Sequence, residues 1–120
     1  MLPDSDFTVS LASDGREMLE LAAGDAPDLV IMDLQMRNSG GIAGCLDLRL
    51  EASAGRLPLI PVLLLLDRRA DVFMARRAGA QGWVIKPLDP IRLRKAVRSL
   101  LDGGSYTDDS FKPRPSLVSE

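Results

Sequence analysis

The sequence contains no histidine and a single cysteine, and each absence excludes a class of site. Without histidine, the chain cannot form a histidine-based catalytic triad or the commonest zinc sites. The one cysteine, Cys45, cannot form an internal disulfide, which suits a reducing cytoplasm. Because Cys45 lies among apolar residues of a predicted helix, we expect a buried structural thiol and not a reactive one.

A long apolar run is also absent. The longest stretch, residues 57–66, is shorter than the roughly 20 residues that cross a bilayer, and Pro58 and Pro61 interrupt it, so it indicates a buried strand. Residues 1–6 have neither the basic nor the apolar segment of a signal peptide. The net charge of −2, with both signs spread along the chain, favours neither nucleic acid nor an anionic membrane as a partner. We therefore expect a cytoplasmic protein.

The elements that the sequence does predict alternate between strand and helix. A chain of 120 residues has room for one domain, which we place at residues 1–102 and follow with a disordered tail at 103–120. Ser13 or Asp14 can cap the first helix, Gly79 can end the third, and the glycines of 37–41 permit a positive φ. This alternation is typical of a parallel sheet with right-handed crossovers. The predicted strands are 7–12, 29–34, 59–65 and 82–85. The predicted helices are 15–23, 42–52, a third from 69 or 70 to 78, and 90–101.

Two charged residues follow buried strands. Asp33 ends the apolar run Leu-Val-Ile-Met, and Lys86 ends the run Trp-Val-Ile. Open α/β sheets place their chemistry at the carboxyl ends of their strands, so we expect Asp33 and Lys86 to face one crevice. Alternatively, Asp33 caps the following turn and Lys86 is an exposed loop lysine before Pro87.

The sequence around these residues resembles the response-regulator receiver family, which is CheY-like. The resemblance is carried by SDGREMLEL at 13–21, PDLVIMDLQM at 27–36, AGA at 78–80 and WVIKP at 83–87, in order and with near-family spacing. It implies a flavodoxin-like, doubly wound parallel α/β sheet with the strand order 2-1-3-4-5. The family's first strand and helix have no counterpart ahead of Asp33, so the predicted sheet is incomplete at its N-terminal end.

The resemblance also implies roles for individual residues. Asp33 would be the phosphoacceptor and Lys86 would contact the phosphoryl oxygens. Trp83 would occupy the aromatic switch position. Mg²⁺ would be held by Asp33 and the backbone carbonyl of Gln35, but the acid pair of the family's first strand is missing, so we expect a weak site.

One family residue is replaced in this sequence. Receivers place a serine or threonine at the end of the fourth strand, but no serine or threonine occurs between Ser53 and Ser99. Leu66 takes this switch position if Pro61 anchors the match, and Leu64 takes it if the count runs back from the lysine. In either case an apolar side chain replaces a hydrogen-bond donor.

Loss of the family's first strand would leave strand edges unpaired, which invites pairing with another chain. Three explanations are open. The chain is a product begun at an internal methionine, or it is a short protein whose gap another chain fills. In the third explanation, the sheet is rearranged so that residues 7–12 pair directly beside residues 29–34.

Two functions follow from the resemblance. The first is a stand-alone two-component response regulator, not an enzyme, that receives a phosphoryl group from a histidine kinase or phosphotransfer protein and signals to a downstream target protein. The alternative is a degenerate receiver that acts as a dimerisation or scaffold module without phosphorylation. A homodimer would form through the last two helices or the unpaired strand edges. A small-ligand-binding domain or enzyme is disfavoured because the sequence lacks a glycine-rich phosphate loop.

Overall fold

The computed structural model describes residues 8–35 and 40–107. Within these ranges, strands and α-helices alternate along the chain as predicted, except at its N-terminal end. A short 3₁₀ turn, Arg69–Asp71, precedes the third helix. In chain order the elements are α1 (Gly15–Gly24), β1 (Val30–Asp33), α2 (Gly40–Ser53), β2 (Val62–Leu66), α3 (Val72–Ala78), β3 (Gly82–Ile85) and α4 (Pro90–Leu101).

The strands form a parallel three-stranded sheet in the order β1-β2-β3. Asp33 lies opposite Leu65, and Leu66 lies opposite Ile85, so the carboxyl ends of all three strands lie at one edge of the sheet. The predicted parallel α/β architecture is confirmed, and the order agrees with strands 3-4-5 of the expected sheet.

Helices cover both faces of the sheet and create two apolar clusters. On one face α1, α2 and α3 pack on residues such as Met32, Leu64 and Trp83. On the other face α4 packs on Leu63 and Val84. Ile31 of β1 points to the face of α4 but is 43% exposed, because α4 contacts β2 and β3 and leaves β1 partly uncovered.

The strand predicted at residues 7–12 is wrong for 8–12, which have no regular structure, while Phe7 lies outside the described residues. Val9 and Leu11 are 72% and 84% exposed. An isolated strand is unstable because its backbone groups and apolar side chains stay in water. Within the described residues β1 pairs only with β2, so residues 8–12 do not fill the gap beside it.

Local capping signals set several helix ends. The Asp14 side chain accepts a hydrogen bond from the Glu17 N–H at 2.9 Å and caps α1, and the Ser13 hydroxyl donates to the Glu17 carboxylate at 2.6 Å. Gly79 ends α3 with φ +81°, and Gly40 begins α2 with φ +74°. These cap predictions are confirmed, although 36–39 lie outside the described residues.

Cys45 and the start of the predicted tail both pack against the fold. Cys45 is wholly buried, as expected, and burial raises the pKa of its thiol. Tyr106 forms a parallel bridge with Gly82, and the Trp83 N–H donates to the Tyr106 carbonyl at 3.0 Å. Ordered contacts with the sheet therefore reach beyond residue 102, while 108–120 lie outside the described residues.

No helix of the described chain is long and apolar enough to cross a membrane.

Candidate functional site

Three consecutive strand ends build one polar cluster. Asp33 is the last residue of β1, Asp67 follows β2, and Lys86 follows β3. The ladder continues past the strands, because the Leu34 N–H donates to the Leu65 carbonyl at 2.9 Å and the Lys86 N–H donates to the Leu66 carbonyl at 2.7 Å. The backbone register therefore brings these three side chains to the same edge of the sheet.

The Lys86 ammonium lies between the two carboxylates. Its Nζ donates to Asp33 Oδ2 at 2.6 Å and lies 2.9 Å from Asp67 Oδ1. The side chains are 30% exposed for Lys86 and 39% exposed for each aspartate, so the cluster lies in an open crevice. The predicted proximity of Asp33 and Lys86 is confirmed.

These contacts shift the pKa values of both Asp33 and Lys86. Burial raises the pKa of Asp33, but hydrogen bonds from Lys86 and from the Gln35 N–H outweigh it and hold that pKa below its ordinary value. The hydrogen bonds to Asp33 and then Asp67 raise the pKa of Lys86 above its ordinary value. Asp33 is thus a carboxylate and Lys86 an ammonium at neutral pH, which are the states that nucleophilic attack on phosphorus requires.

The N-terminal end of α2 packs directly on the backbone of Asp33. The Gly41 N–H donates to the Leu34 carbonyl at 3.0 Å, and a Cβ atom at Gly41 would lie 2.7 Å from the Asp33 carbonyl oxygen. On its other side, Asp33 Oδ1 accepts from the Gln35 N–H at 2.9 Å. The backbone and side chain of Asp33 are therefore both held in place at the crevice.

The two predicted switch residues are buried near this edge. Leu66 ends β2 and is wholly buried, whereas Leu64 lies two positions inside the strand, so Leu66 occupies the strand-end position. It brings no hydroxyl to the site. Trp83 is 5% exposed on the face of α3, with the Arg76 guanidinium 5.5 Å from its ring centroid.

The described residues do not fit the Mg²⁺ site that the resemblance implies. Mg²⁺ requires near-octahedral coordination by oxygen. Each Asp33 oxygen already accepts one hydrogen bond, Oδ1 from the Gln35 N–H and Oδ2 from Lys86 Nζ, and one carboxylate supplies few of the oxygens that such a site needs. In the described chain, no three histidine, cysteine, aspartate or glutamate side chains come together to hold a metal ion. The Lys86 ammonium contacts both of the carboxylates present and balances one of their two negative charges.

Asp67 is the site residue that sequence reasoning missed. The strand was expected to end at 65, which made Asp67 a loop residue, whereas β2 ends at Leu66 and Asp67 is the first residue beyond it. The same rule that selected Asp33 and Lys86 would have found it. Asp71, farther along the chain, is buried and accepts a hydrogen bond from the Arg68 guanidinium at 3.0 Å.

Comparisons with known proteins agree with this architecture. A sequence model of the response regulator receiver domain matches residues 1–98. Response regulator PleD of Caulobacter vibrioides is 33% identical over 94 residues, which are 78% of this chain and 20% of that protein. The nitrate/nitrite response regulator protein NarL of Escherichia coli is 32% identical over 113 residues, which are 94% of this chain and 50% of that protein. The chain thus spans half or less of these relatives.

A solved structure shows the same fold. The signal receiver domain of a signal transduction histidine kinase from Syntrophus aciditrophicus matches with a TM-score of 0.72 and 26% identity, covering 93% of this chain and 80% of that one. The parallel sheet, the helices on both of its faces and the sequence matches all lead to one assignment. The chain belongs to the response regulator receiver domain family.

Proposed function

We propose that this receiver accepts a phosphoryl group on Asp33 from a histidine kinase or phosphotransfer protein. The observation that carries the proposal is the 2.6 Å contact between Lys86 Nζ and Asp33 Oδ2 at the carboxyl edge of the sheet. Such a pair combines a nucleophilic carboxylate with a cation placed for the phosphoryl oxygens.

The chemistry is an in-line displacement at phosphorus. An Asp33 carboxylate oxygen attacks the phosphorus of a phosphohistidine, an O–P bond forms, and the P–N bond breaks with its electron pair leaving on the imidazole. Lys86 moves from the Asp33 carboxylate to the transferred oxygens and neutralises part of their charge. The product is an acyl phosphate.

The proposed output is contact with a separate target protein, as a stand-alone cytoplasmic signalling module and not an enzyme. For self-association, we propose the edge of β1 that faces away from β2, which no described residue pairs, in preference to the surface of α3 and α4. The Val30 N–H donates to the Pro61 carbonyl just before β2, and the Leu34 N–H donates to the Leu65 carbonyl within it. Because N–H groups alternate in direction along a strand, the N–H of Ile31 points away from β2. The surface of α3 and α4 instead carries several positive charges, which disfavour the approach of a second copy there. They are Arg76, Arg77, Arg92 and Arg94.

The test is intact mass after incubation with acetyl phosphate, with and without Mg²⁺. The wild type should gain one phosphoryl group, and Asp33→Asn should gain none because its amide is not a nucleophile. Asp28→Asn is a matched control, since Asp28 is exposed and precedes β1 at the opposite end of the sheet. A phosphoryl group retained by Asp33→Asn would refute the acceptor assignment.

The buried Leu66 favours a second function. A receiver without the strand-end hydroxyl has one fewer hydrogen bond to a phosphoryl oxygen, which supports a scaffold or dimerisation module that works without phosphorylation. No mass gain under any condition, from a chain that folds, would select this function over the first.

A further inference from the structure

Asp67 introduces a second acid beside the proposed phosphoacceptor. Its Oδ1 lies 2.9 Å from Lys86 Nζ, compared with 2.6 Å for Asp33 Oδ2. Both contacts are charge-assisted, and the one ammonium serves both carboxylates.

The position of Asp67 is fixed by the sheet and not by a free loop. It directly follows Leu66, whose side chain is wholly buried and whose carbonyl accepts from the Lys86 N–H at 2.7 Å. Because backbone bonding joins β2 to the lysine itself, the Asp67 carboxylate is held next to the lysine side chain. Leu66 adds no polar group there, so Asp67 is the polar side chain that this end of β2 provides.

Phosphoryl transfer requires Lys86 to turn toward the incoming oxygens. A carboxylate that already bonds the ammonium opposes this movement, and its negative charge also repels the anionic phosphoryl group. We propose that Asp67 is a positioning residue that holds Lys86 and slows phosphoryl transfer to Asp33. This inference rests on the proposed function and adds to it a restraint on Lys86.

The experiment compares the wild type with Asp67→Asn and the matched charge control Asp28→Asn. The rate of mass gain from acetyl phosphate should rise roughly two- to five-fold in Asp67→Asn, the size expected for loss of one partly exposed ion pair. Asp28→Asn should leave the rate unchanged, because the same charge is removed at the far end of the sheet.

A second readout separates a restraint on Lys86 from a general structural effect. Nuclear magnetic resonance of the lysine ammonium groups should show that the pKa of Lys86 moves back toward its ordinary value in Asp67→Asn and stays at the wild-type value in Asp28→Asn. A purely structural change at the loop would not move this titration.

The outcomes are distinct. A faster Asp67→Asn with a shifted lysine titration supports the inference. An equal or slower rate beside a phosphorylated wild type overturns the inference but leaves the proposed function intact. If both variants are accelerated equally, the cause is the change in net charge, and the inference is overturned. No phosphorylation of any variant overturns the proposed function, and the inference with it.

Discussion

Replacing Gly41 by alanine should destabilise the domain, because its α-hydrogen faces the backbone of the phosphoacceptor. A Cβ atom there would lie 2.7 Å from the Asp33 carbonyl oxygen and 3.1 Å from Leu34 Cα. Neither is the end of a flexible side chain, so α2 must move away from β1. Such overpacking costs about 1–3 kcal/mol, and the better helix propensity of alanine offsets up to about 1 kcal/mol. We expect a net loss of about 1–2 kcal/mol in the free energy of unfolding.

Alanine substitutions at two other helix glycines serve as controls for Gly41→Ala. At Gly44 the nearest atom is Met32 Sδ at 2.7 Å, which belongs to a flexible side chain that can shift, so the cost should be smaller. At Gly24 nothing lies within 4 Å, and alanine should be neutral or stabilising by up to about 1 kcal/mol.

The assay is urea unfolding followed by circular dichroism, with the midpoint and slope measured for all three variants. The expected order of stability is Gly24→Ala, then Gly44→Ala, then Gly41→Ala. A Gly41→Ala variant as stable as Gly24→Ala would refute the close approach of α2 to Asp33. A stability loss accompanied by slower phosphorylation would support a role for this contact in positioning the carboxylate.

Two further predictions concern charge and self-association. Lys86→Gln should lower the free energy of unfolding by up to about 2 kcal/mol, the sum for two partly exposed ion pairs. Because the pKa of Asp33 is lowered, its contribution to stability is present above about pH 3.8 and is lost as the pH falls through the lowered pKa. Because the pKa of Lys86 is raised, its contribution to stability is present below about pH 10.5 and is lost as the pH rises through the raised pKa. The difference between wild type and variant, measured by denaturant titration, should be constant between these limits. A difference that does not shrink as the pH falls below about 3.8 would contradict the pairing. Ile31→Lys should reduce self-association, measured by light scattering, because it places a charge on the edge strand β1. Ile91→Lys on α4 should leave self-association unchanged. The reverse result would place the interface on the helices.

Local sequence signals were enough to predict most of the helices and their ends. Asp14 and Gly79 act on backbone groups within a few residues, so their effect does not depend on distant packing. The pairing of Asp33 with Lys86 was also predictable, since parallel strands bring their carboxyl ends to one edge whatever the details of the core.

Other features depended on contacts between distant segments. Residues 8–12 have the composition of a strand but no strand forms, because local composition does not specify pairing with a neighbouring strand. The role of Asp67 depended on the register of β2 with β3, which brings its carboxylate to the Lys86 ammonium. The sequence by itself determined the order of elements and the two charged strand ends, because periodicity and caps are local. Only the tertiary structure decided that one ammonium serves two carboxylates and that α2 lies against Asp33, because both depend on the packing of segments far apart in the chain.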